Sequence, residues 1–74
     1  MHEFSALIVR LGDNVRQRRK AQKMTQAELA QRADLHRTYV ADVERGGRNV
    51  SIGNVAKLAR ALRVSVSDLC EGIR

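Results

Sequence analysis

The stretch Met24-Thr25-Gln26-Ala27-Glu28-Leu29-Ala30-Gln31-Arg32-Ala33-Asp34-Leu35-His36-Arg37-Thr38-Tyr39-Val40-Ala41-Asp42-Val43-Glu44-Arg45-Gly46-Gly47 decides how this chain of 74 residues folds. Thr25 stands as an N-cap, Glu28 follows three residues on to return the hydrogen bond, and Met24 and Leu29 flank the two. This capping box with its hydrophobic staple starts a helix at Gln26 that runs to about Arg32. Only Ala33, Asp34 and Leu35 intervene before a second helix begins near His36. Val40 and Val43 are its inward pair, and Gly46-Gly47 stops it. Two helices joined by so short a turn cross steeply. The residues suit that crossing: Ala30 is small where the helices approach, Leu29 and Leu35 are apolar under the turn, and Asp34 tolerates the left-handed backbone that glycine usually supplies there.

The same start signal recurs at Val64-Ser65-Val66-Ser67-Asp68-Leu69. It appears less completely at Val50-Ser51-Ile52-Gly53-Asn54-Val55, where Asn54 replaces the acid. Upstream, Phe4, Leu7, Ile8, Leu11 and Val15 fall on one stripe of a helix running to about Gln22. Gly12-Asp13 is its weak point, because an interior glycine costs about 1 kcal/mol relative to alanine. The alternatives are one long helix, preferred here, or a loose segment followed by a helix from Asp13. Val55, Leu58, Ala59 and Leu62 mark a fourth helix, and a short fifth runs from about Val66 to Glu71 with Gly72 at its end. The expected architecture is all-α: one domain of five helices over residues 1–74, with no linker or repeat.

Composition narrows the function. Aromatic residues are 3% and proline is absent, which favours helices, while a net charge of +6 and a pI of about 10.8 suit an acidic polymer. The single Cys70 allows no intramolecular disulfide, which points to a reducing, cytoplasmic setting. The longest apolar run, Ala6 to Val9, is too short for a membrane span or a signal-peptide core. His2, His36 and Cys70 are too scattered for a metal site, and no nucleophile–base set, acid pair or phosphate loop suggests an enzyme or a cofactor.

The steep helix pair from about 26 to 45 has the geometry of the helix-turn-helix, whose second helix lies in the major groove while the first crosses the backbone. With Val40 and Val43 inward, Thr38, Ala41, Asp42 and Arg45 face outward, and Arg37 and Tyr39 lie on the shoulders. Arg37 can fork two hydrogen bonds to guanine, and Thr38 can meet a thymine methyl, so these two are the expected base readers. Gln26 and Ala27 sit at a helix N-terminus suited to phosphate, and Tyr39, Arg45, Arg48 and Asn49 are the further backbone candidates. Asn49 can instead bond its own backbone and hold the loop. Asp42 either accepts from cytosine or pairs with a neighbouring arginine; the second reading is favoured. The run Arg16, Arg18, Arg19, Lys20 and Lys23 invites the reading that the N-terminal helix also grips DNA, against the more common fate of such runs as a solvated basic face.

Met24 to Ala30, Arg37-Thr38-Tyr39 and Val43 to Gly46 together resemble the lambda-repressor-like (XRE) family. His36 to Val40, followed by Glu44 to Ser51, is similar to the controller proteins of restriction–modification systems. The resemblance covers nearly the whole chain. It implies a transcription regulator in which Gln26 binds the DNA backbone and a buried Arg19 pairs with Glu44 at the end of the recognition helix. It also implies autoregulation: activation at low dose, repression at high dose. His36 departs from the serine cap common in the family, which leaves the start of that helix poorly capped.

One such unit reads few base pairs, so a homodimer on a palindromic operator is expected, with recognition helices on the order of 34 Å apart. The apolar residues left for the interface, in the region of about 52–73, are Ile52, Val66, Leu69, Cys70 and Ile73. Leu69 has the equal alternative of closing the monomer's own core. Double-stranded DNA, a second copy and RNA polymerase are the candidate partners, and no small-molecule ligand is called for. The competing readings are a phage- or plasmid-type repressor, an antitoxin-like protein-binding module, and a basic helix lying on a membrane.

Overall fold

The computed structural model describes residues 2–73, with side chains from residue 5, so the Phe4 side chain of the first stripe lies outside the described residues. Five helices follow in order: α1 (His2–Ala21), α2 (Gln26–Ala33), α3 (Arg37–Glu44), α4 (Ile52–Leu62) and α5 (Val66–Leu69). Helices α2 and α3 pack on each other, α1 crosses α3, α4 closes the other side of α2, and α5 covers the base. Leu11, Val15, Leu29, Val40, Val43, Val55, Leu58, Leu62 and Leu69 meet in one core, in which the inward stripes expected of α1, α3 and α4 take part.

The capping grammar is realised where it was complete. Thr25 and Ser65 each accept from the third helical N–H, and Glu28 and Asp68 return the bond. Ser51 accepts from Asn54 N without a reciprocal contact. Asp34 adopts the left-handed conformation (φ 58°, ψ 47°) that lets α2 turn into α3 in three residues. Lys23 (φ 58°) and Arg63 (φ 59°) likewise take a positive φ after α1 and α4, in place of the glycine that most often ends a helix.

Two expectations change. Helix α5 is shorter than the span to Glu71, its C-terminal residues continuing as turns. Leu69 belongs to the core and not to an interface: it is 0% exposed, seated under α1 and α4. Asn14 explains why it sits so deep, because its Nδ2 donates to the carbonyls of Leu69 (2.9 Å) and Glu71 (2.8 Å) and ties the C-terminal turn to α1.

Helix α1 is one continuous helix, and Gly12 is a packing requirement. A Cβ at this position would stand 2.1 Å from the Val43 carbonyl oxygen, so the missing side chain is what lets α1 lie against the end of α3. Helix propensity alone favours Gly12→Ala by about 1 kcal/mol. Overpacking at a backbone contact costs about 1–3 kcal/mol or more and decides the sign. Gly12→Ala should therefore lower the melting temperature by several degrees; an unchanged or raised melting temperature in calorimetry would refute the close approach.

Candidate nucleic-acid interface

The interface is assembled on a buried fork. Arg19, on α1, gives Nε to Glu44 Oε2 (2.7 Å) and Nη2 to Glu44 Oε1 (3.0 Å), while its Nη1 donates to the Met24 carbonyl (2.7 Å). Both side chains are almost wholly out of water, and the bonds Arg19 donates to Glu44 raise its pKa against the opposing effect of burial. Glu44 Oε1 takes a further bond from Gln26 Nε2 (3.0 Å). The pair expected from the resemblance is present, and Gln26 is a third member that no local pattern announced. One carboxylate thus joins α1, the first turn of α2 and the end of α3.

At the start of α2 the capping box uses the N–H groups of Thr25 and Glu28 and leaves those of Gln26 and Ala27 without an acceptor among the described residues. Two free donors at the positive end of a helix suit a phosphate oxygen. The Glu28 carboxyl is held below its ordinary range by the bonds from Thr25. Its contribution to the cap is therefore present above that range and lost as pH falls through the lowered value.

At the start of α3, His36 has cap geometry but makes no side-chain cap bond. The N–H groups of Arg37, Thr38 and Tyr39 are left without a protein acceptor among the described residues, as the departure from serine led one to expect. The side chains of Arg37 and Thr38 are exposed and engaged by no other described residue. Tyr39 is half-buried against the core. Its Oη accepts from Asn54 Nδ2 on α4 (2.9 Å), and the Arg48 guanidinium stands 5.1 Å from its ring centroid.

Asp42 pairs with arginine, as favoured: Arg45 Nη2 meets its Oδ1 and Arg48 Nη2 its Oδ2 (3.3 Å). The two arginine side chains are 71% and 50% exposed, so these pairs are worth little and are readily exchanged for a phosphate. Asn49 is exposed, and its side chain makes no hydrogen bond with a described residue. Among the dimer candidates, Ile52 is 74% exposed and Val66 36%, while Cys70 and Ile73 are partly covered and touch the core. Among the described residues, no group of three His, Cys, Asp or Glu is placed to hold a metal ion, and no helix is long and apolar enough to cross a membrane.

Two packed helices joined by a three-residue turn on a buried polar fork, with the first residues of the second helix exposed, are the architecture of a helix-turn-helix transcription regulator. A family profile described as helix-turn-helix matches residues 15–69. The control protein C.BamHI of Bacillus amyloliquefaciens is 49% identical over 61 residues, covering 81% of this chain and 75% of its own. The immunity repressor of Bacillus phage phi105 is 40% identical over 57 residues, covering 77% of this chain and 40% of its own. The structure of the restriction–modification controller protein C.AhdI from Aeromonas hydrophila superimposes with a TM-score of 0.84 at 44% identity, over 86% of this chain and 97% of that one. The controller protein C.Esp1396I, solved as a tetramer in complex with its natural 35 base-pair operator, gives a TM-score of 0.77 at 32% identity, over 80% of this chain and 78% of that one. The chain belongs to the helix-turn-helix family, with restriction–modification controller proteins among its relatives.

Removing one partner of a buried, hydrogen-bonded ion pair costs about 3–5 kcal/mol. Arg19→Ala should therefore unfold the protein or nearly so, as read by circular dichroism, and lose DNA binding only as a consequence. A variant with wild-type stability and no binding would reassign Arg19 to the interface itself.

Proposed function

We propose that the chain is a sequence-specific double-stranded DNA-binding regulator that acts as a homodimer on a palindromic operator and controls a restriction–modification system, its own gene included. The observation that carries this reading is the free N-terminal end of α3. Arg37 and Thr38 are exposed and unengaged there, at the part of a recognition helix that meets base edges. Around them stand the donors for the backbone: the N–H groups of Gln26 and Ala27, the Gln26 amide, Tyr39, Arg45, Arg48 and Asn49. These residues hold the register of the duplex while Arg37 and Thr38 select bases.

Dimerisation uses Ile52, Val66, Cys70 and Ile73. Ile52 in particular is a large aliphatic side chain left in water for no benefit to the monomer. Control by concentration needs no ligand, and RNA polymerase is the partner at an activated promoter. The work is done in the cytoplasm, where the DNA is. The similarity to C.BamHI and C.AhdI over most of all three chains supports the controller reading. The phage phi105 repressor supports the second reading, a repressor that only silences.

Footprinting across a protein titration separates the two. A controller protects a first site at low dose with rising transcription, then a neighbouring site with repression. A single site with monotonic repression favours the phage-type reading. Binding should fall steeply with salt yet stay far above that for scrambled duplex; equal affinity for both would refute sequence-specific recognition. Ile52→Asp and Ile73→Asp should each shift the protein toward monomer at micromolar concentration. If sedimentation finds both still dimeric, the interface lies elsewhere.

A further inference from the structure

Asn54 breaks the capping rule that the chain follows elsewhere. At the same position in α2 and α5 stand Glu28 and Asp68, each returning a hydrogen bond to the cap residue. Asn54 returns none; its side chain reaches away from Ser51 and gives Nδ2 to Tyr39 Oη on α3 (2.9 Å). An acid at this position would serve α4 better, both as a cap and at the positive end of its dipole.

We infer that Asn54 is a positioning residue for DNA binding: by donating to Tyr39 Oη it keeps the tyrosine proton free for a phosphate oxygen. A tyrosine hydroxyl has one proton and accepts through its lone pairs. A donor at Oη fills the acceptor side, so the O–H proton must point elsewhere, and among the described residues it meets no protein acceptor. A carboxylate in place of the amide would reverse the bond. It would take the Tyr39 proton for itself. The Arg48 guanidinium lies over the same ring, 5.1 Å from its centroid, which places a cation on the same side chain as the freed O–H. The inference rests on Tyr39 being a backbone contact, as proposed above.

The test is a double-substitution cycle in the full chain, using a duplex selected by the wild-type protein from a random pool, with scrambled duplex as the control. Asn54→Asp should raise or hold the melting temperature, because a carboxylate is favoured at the positive end of the α4 dipole, while weakening operator binding on the order of ten-fold. Tyr39→Phe should weaken binding to a similar degree. The pair N54D/Y39F should bind no worse than either single variant beyond a factor of about two, since both remove the same hydrogen bond. Losses that multiply would mean that the introduced charge merely repels DNA, and would overturn the inference. Unchanged binding by N54D would overturn it as well. Asn54→Ala adds no charge and no acceptor for the tyrosine proton, so its loss should be smaller than that of N54D; an equal or larger loss would show that the amide supports the fold and does not orient the proton. A wild-type protein that selects no sequence would refute the proposed function itself, a failure visible before any variant is made.

Discussion

The buried bond between Arg19 and Glu44 is the constraint around which the rest of the molecule is arranged. Two charges taken out of water are expensive, and a well-packed apolar substitute is often as stable. The fork therefore matters less as a source of stability than as a fixed geometry. Its bonds run between α1, the Met24 carbonyl, the Gln26 amide and the last turn of α3. Gly12 makes the same junction possible from the other side, by letting α1 approach the Val43 carbonyl one residue before Glu44. The recognition helix is thus pinned at its C-terminal end by polar bonds and along its inner face by Val40 and Val43. Its N-terminal end is left open.

Pinning one end also sets the charge of the surface. Helix α3 carries two acids, Asp42 and Glu44, on an element proposed to face a polyanion. Glu44 is neutralised internally by Arg19, and Asp42 is matched by Arg45 and Arg48. Neither is left as a bare negative charge, and the excess of basic side chains elsewhere in a chain of net charge +6 is free to attract an acidic partner. The exposed arginines on Asp42 can be exchanged for phosphate at small cost, whereas the buried one cannot. Arginines around one helix therefore divide by burial into scaffold and candidate contact.

The helix starts and the inward stripes were legible in the sequence because they depend on neighbours within one or two turns: Thr25 with Glu28, Ser65 with Asp68, Val40 with Val43. Asp34 was legible for the same reason, since its left-handed backbone is a local property of a three-residue turn. What escaped were contacts between residues far apart in the chain. Gln26 to Glu44, Asn14 to the Leu69 carbonyl and Asn54 to Tyr39 leave no periodic trace, because a polar side chain at a helix surface looks the same whether water or another helix receives it. Gly12 was misread as a weak point because its reason lies in α3. Leu69 stood equally for core and interface until Asn14 was seen to draw its backbone inward. The Arg19–Glu44 pair came from family resemblance, and composition could not have supplied it.

The four helix starts with identifiable caps follow local rules to different degrees, and the departures are informative. Helix α5 has a complete capping box and no proposed DNA contact. Helix α2 has the same box, which as in α5 leaves the N–H groups of the first two helical residues, here Gln26 and Ala27, without a protein acceptor among the described residues. In α3 the cap is His36 without a side-chain bond, and three N–H groups stand open beside Arg37 and Thr38. In α4 the reciprocal half of the box is missing because Asn54 is spent on Tyr39. A chain this small has little stability to give up. Donors left unsatisfied by the helix itself are the groups that a phosphate can satisfy, so weak capping at α3 places the cost where the proposed DNA contact recovers it.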